Sequence, residues 1–178
     1  MANKSLIKLI DEAIVPAILL VVAKMIGLFL PSYFLNLEFT VEGNQFLHLL
    51  PSVHFTSTHS YLIAENFSNL AMFLAAAAGT AFVLVRAHYF HESHIHPNLH
   101  SRLISLNLES LVAPSYHLYH QATIWLIFLW LTVGFLILSS IQGITYPQIT
   151  IAGFLVAANF SWILSSDIQK EVEITSNS

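Results

Sequence analysis

The chain has 178 residues, is 56% hydrophobic and only 9% charged, against about 25% charged in an ordinary soluble domain. Water cannot solvate a surface so poor in charge, so lipid must cover much of it. The net charge is −4 with no Lys/Arg run and there are no cysteines, which excludes nucleic acid as a partner, disulfides, thiolate chemistry and Cys-held metals.

Lys4 and Lys8 precede a first apolar run at 13–30. It is too long for a signal-peptide core and leads into Pro31, Tyr33 and Phe34 rather than a small-residue cleavage site. It reads as a retained membrane helix. Further runs at 67–85, 123–141 and 149–164 have the ~17–25 residues that a ~30 Å hydrocarbon layer requires. The expectation is an all-α integral membrane protein, one four-helix transmembrane domain over 1–178.

Lys24 sits deep in the first run, where an unpaired cation costs about 2.5–3.5 kcal/mol. No Asp or Glu falls within the four runs as drawn. The expected partners are Asn159 of the fourth run, backbone carbonyls, or a carboxylate on another protein or lipid headgroup. Lys24 and Asn159 are therefore the candidate intramembrane polar residues. The alternatives are snorkelling for the lysine and helix–helix contact for the asparagine.

Between the first two runs, residues 38–42 alternate polar and apolar, Gly43-Asn44 is a turn signal, and 45–50 resumes before Pro51. A small β-hairpin is expected there. Thr58 or Ser60 would cap a second helix that starts outside the bilayer and runs through it. Ala71, Ala75 and Gly79 give that helix a small-residue face for close packing.

Pro97 opens an expected amphipathic interfacial helix over 97–112, with Leu99, Leu103, Leu106 and Leu111 opposite Ser101, Ser105 and Glu109. Ser115 follows a break and is positioned to cap the third membrane helix. Tyr116, Tyr119 and Trp125 fall where an interfacial aromatic belt belongs. Pro147 is a favourable first residue for the fourth. Lys4, Lys8, Arg86, Arg102 and Lys170 all fall on one side of this arrangement, and segments 31–66 and 142–148 carry no Lys or Arg. The positive-inside rule then predicts a cytoplasmic or inner membrane protein with both termini cytoplasmic.

Seven of the ten histidines lie between His88 and His120. His88 and His91 share a helix face at the exit of the second helix, and His117 and His120 do so at the entry to the third. Antiparallel packing would bring the two pairs to one level. Four imidazoles suit tetrahedral zinc or another metal such as iron, and one from each helix could clamp a haem. Only Glu92 and Glu109 are near in sequence, too few for a ferritin-like di-iron site. There is no His-His pair of the kind that membrane desaturases and hydroxylases carry. His94, His96 and His100 flank a proline break and read as solvated. His48, His54 and His59 are scattered on the other side. Histidine is also an ordinary interfacial residue, so the crowd by itself names no ligand.

There is no nucleophile elbow, zinc-protease helix or phosphate-cradling glycine loop, and no reaction is indicated. The expected function is a small polytopic membrane protein acting as a non-enzymatic subunit or scaffold, with lipid and a protein partner or second copy around it. The alternative is a metal- or haem-binding membrane protein, an oxidoreductase or metal handler, using His88, His91, His117 and His120.

Overall fold

Helices satisfy their own backbone hydrogen bonds, which is why long apolar runs take this form in lipid. The structure, a computed structural model, describes residues 2–42, 52–90, 95–108 and 111–176. Among them are five helices: α1 (Ala2–Phe34), α2 (Thr58–Tyr89), α3 (Pro97–Ser105), α4 (Ser115–Ile141) and α5 (Pro147–Ser176). A two-stranded sheet, β1 (Phe39–Glu42) and β2 (Ser52–Phe55), joins α1 to α2. The helices α1, α2, α4 and α5 are each long and apolar enough to cross a membrane.

All four are longer than the apolar runs that flag them, because their ends continue into polar sequence. α1 and α2 run past Leu30 and Val85, and α5 continues through Asp167 and Glu171. Ser57 rather than Thr58 or Ser60 is the cap of α2, accepting from the Ser60 amide at 3.1 Å. Ser115 does not cap α4. It is the first helical residue, and its hydroxyl donates to Glu171 Oε1 at 3.1 Å.

Three helices end alike. Asn36, Asn107 and Gly143 each take a positive φ just beyond α1, α3 and α4. The next amide in each case bonds back five residues, Leu37 to Ser32, Leu108 to Leu103 and Ile144 to Ser139. This left-handed stop satisfies the last carbonyls. It also explains why α3 ends at Ser105 rather than reaching 112: the chain leaves the helical conformation at Asn107.

The hairpin forms with a different second strand. Phe39 pairs with Phe55, Thr40 with His54, Val41 with Val53 and Glu42 with Ser52. The returning strand thus follows Pro51 instead of ending there, and begins at Ser52. The segment 43–51, including the predicted turn and the 45–50 strand, lies outside the described residues. Phe39 contacts Phe29 of α1 and Phe55 contacts Tyr61 of α2, with ring centroids 5.9 and 6.2 Å apart. The sheet therefore seats across the paired ends of α1 and α2.

α2 is the hub, packing on α1, α4 and α5. In its most apolar stretch 39% of residues are buried, against 11% in α1, which turns most of its surface outward. The core is Leu20 of α1, Met72, Phe73 and Ala76 of α2, Leu129, Val133 and Leu136 of α4, and Ala157 of α5. A second cluster, Val83, Leu84, Ala122 and Leu164, lies nearer the histidines.

The small residues of α2 do allow close approach, but to two partners. Gly27 of α1 sits so near Ala71, the Phe67 carbonyl and the Ser68 Cα that a Cβ would not fit. Gly79 receives the Trp125 ring of α4. Trp125 is consequently a packing residue between α2 and α4.

Candidate functional site

Two polar centres stand at opposite ends of the bundle. At the hairpin end, Lys24 Nζ donates to Glu65 Oε2 at 3.1 Å and to Asn69 Oδ1 at 2.9 Å, and lies 5.1 Å from the centre of the Phe135 ring. Asn69 is fully buried and donates to Thr145 Oγ1 at 2.7 Å. Ser68 Oγ donates to the Lys24 carbonyl at 2.8 Å. One ammonium thus ties α1 to α2 and, through Asn69, to the turn between α4 and α5.

This assignment corrects the expected partner of Lys24. Among the described residues Lys24 is bonded to Glu65 and Asn69 and not to Asn159. Asn159 is exposed on α5, and among the described residues its amide makes no hydrogen bond. The partner is Glu65, which the apolar run at 67–85 leaves just outside. The helix start expected near Thr58 already places Glu65 four residues before Asn69, on one face, a signal that the apolar runs alone pass over. From Glu65 to Arg86 is roughly 32 Å of helix at about 1.5 Å per residue. No charge intervenes, and the length matches a ~30 Å hydrocarbon layer. Lys24 therefore extends toward a boundary of the apolar zone, where its cost is lowest.

Asn66, also at this end, staples α2 to the α4–α5 turn. Its Nδ2 donates to the carbonyls of Leu62 and Ile144, both at 2.7 Å, and its Oδ1 accepts from the Tyr146 amide at 2.7 Å. It is the acceptor asparagine of an Asn-Phe-Ser glycosylation motif, but its amide is buried and fully engaged.

At the histidine end, the predicted ligands are divided among helices. His88 Nδ1 of α2 lies 3.1 Å from Asp167 Oδ2 of α5. His120 Nε2 of α4 lies 3.3 Å from Glu12 Oε2 of α1 and stacks on Tyr116. His117 meets the Tyr116 ring edge-on at 5.8 Å. His91, with His94, Glu92, Glu109 and His48, lies outside the described residues. Among those described, no group of three or more His, Asp or Glu is placed to hold a metal ion. His96 serves the fold instead, capping α3 through its Nδ1, which accepts from the Asn98 amide at 3.3 Å. His54 and His59 are exposed.

Glu12, Asp167 and Glu171 are partners at this end that the sequence does not announce. They belong to the ends of α1 and α5, remote in sequence from the histidines, and Asp167 and Glu171 share a face four residues apart. Arg86 completes the ring. Its Nε donates to the Leu111 carbonyl at 2.7 Å and its Nη1 to Gln121 Oε1 at 3.4 Å. Carboxylate–histidine contacts across α2–α5 and α1–α4 clamp this end of the bundle.

Comparison with protein-family models, with curated proteins and with solved structures finds no match to this chain.

Proposed function

We propose that the protein is a non-enzymatic subunit or scaffold of a membrane assembly, joined to a partner or a second copy through the outer face of α5. The observation that carries this reading is Asn159. It lies roughly 18 Å from the start of α5 at about 1.5 Å per residue, near the middle of a hydrocarbon layer, yet it is exposed and makes no hydrogen bond among the described residues. An amide left unpaired in lipid is costly, and interhelical bonds are the usual remedy. Ala152, Leu155, Asn159 and Trp162 form one exposed face, with Leu155 and Trp162 61% and 70% exposed. A small residue, a polar one and an indole in that spacing suit a docked helix. The five Lys and Arg near the histidine end favour placing that end, with both termini, on the cytoplasmic side.

The absence of native cysteine makes the test direct. In native membranes, Asn159→Cys should form a crosslink to another chain, and Ile18→Cys on α1 should not. No crosslink at Asn159→Cys with either a short or a long bifunctional reagent would overturn the proposal.

A second reading, metal or haem binding, draws on the His88–Asp167 contact, because a ligating imidazole is commonly fixed by a carboxylate on its other nitrogen. It expects stoichiometric metal or a Soret band that disappears in His88→Ala/His117→Ala. Metal retained in that variant would sink this ligand set.

A further inference from the structure

The His88–Asp167 contact closes one end of a crevice between α2 and α5. The crevice has a volume of about 270 Å³ and is lined by Ala81, Leu84, Val85, Tyr89, Phe160 and Ile163 in addition to the pair. Its floor is apolar and its polar atoms lie at one end. The imidazole is about half exposed while the carboxylate is mostly buried. A carboxylate accepts from an imidazole N–H, so in the neutral imidazole this contact places the proton on Nδ1 and leaves Nε2 as an acceptor. Tyr89 meets the His88 ring edge-on at 4.6 Å, and Phe160 lines the crevice further in. With that tautomer the end offers the His88 Nε2 acceptor, beside the Asp167 carboxylate and the Tyr89 hydroxyl, against aromatic walls.

We propose that this crevice binds a membrane-dissolved aromatic amphiphile through a ring hydroxyl, the chemistry of a phenol or quinol, with its tail directed along α2 and α5. The volume falls below the ~300–1,000 Å³ of pockets that enclose a whole small ligand. It therefore holds a headgroup and the first tail carbons, and the remaining tail lies in lipid. Along α2, His88 stands roughly 10 Å from Ala81 at about 1.5 Å per residue, which sets the head at the edge of the apolar zone and the tail inside it. Binding here does not depend on what covers Asn159.

The test compares 4-nonylphenol with nonylbenzene, which differ only in the hydroxyl. Each is partitioned between nanodiscs holding the full-length protein and empty nanodiscs. The wild-type protein should prefer nonylphenol by tenfold or more. His88→Phe should reduce the preference below twofold, and Ile163→Trp, which fills the crevice, should abolish retention of both. Equal retention of the two probes by wild type means annular lipid binding only and overturns the proposal. An unchanged preference in a folded His88→Phe, verified by its melting curve, overturns it too. Should that variant not fold, the wild-type comparison and Ile163→Trp decide.

Discussion

Lys24 of α1 and Glu65 of α2 form an ion pair of 3.1 Å, with the lysine side chain 31% exposed and the glutamate 20%. The ammonium also donates to Asn69, so removing either charge strands polar groups at the edge of the apolar zone. Lys24→Met or Glu65→Leu should each destabilise the bundle by about 1–3 kcal/mol. The double variant should cost less than their sum, because no charge is then left alone. Reversible unfolding in mixed micelles measures both, and strictly additive losses would refute the coupling.

Gly27→Ala should loosen the α1–α2 contact. The new methyl would meet backbone atoms of Phe67 and Ser68, which cannot swing aside, so the helices must separate, at a cost of about 1–3 kcal/mol. Gly134→Ala is the matched control, since its Cβ meets nothing within 4 Å. That change should be neutral or stabilising by up to about 1 kcal/mol from helix propensity alone. Equal thermal shifts for the two would contradict the packing described.

Much of this architecture is legible in the sequence, because apolar length is a local property. The four spans, the hairpin between the first two and the helix start at Pro147 are all visible before folding. The polar centres are not. Glu65 falls beyond an apolar window that stops at Phe67, and Asp167 and Glu171 fall beyond one that stops at Leu164. Each becomes a partner only because its helix continues past the lipid-matched stretch. The strand at Ser52–Phe55 likewise seats on α2 through Phe55 and Tyr61, a tertiary pairing that alternation cannot reveal.

Asn66→Ala should destabilise the α4–α5 turn by about 2–3 kcal/mol, because the Ile144 carbonyl and the Tyr146 amide both lose their partner. Hydrogen exchange at Tyr146 should accelerate while the α2–α4 core stays protected. Exchange that rises uniformly would argue against a local staple.

Gly143 carries a φ of +73°, a conformation that costs other residues about 1–2 kcal/mol. Gly143→Val should lower the melting temperature, whereas Asn107→Gly should leave it unchanged or raise it. A neutral Gly143→Val would show that α4 can end in another way.

The ion pair of Lys24 and Glu65 lies wholly within the first helical hairpin, α1–β1–β2–α2. Its consequence concerns the order in which the protein is made. Both charges emerge from the ribosome before α4 exists, so the lysine's insertion cost is offset when only two helices have reached the bilayer. The later pair, α4 and α5, then meets a partner already neutralised, and contributes Thr145 to a site whose charges are settled. A chain truncated after α2 should therefore insert stably, and loss of Glu65 should appear first as failed membrane integration of α1.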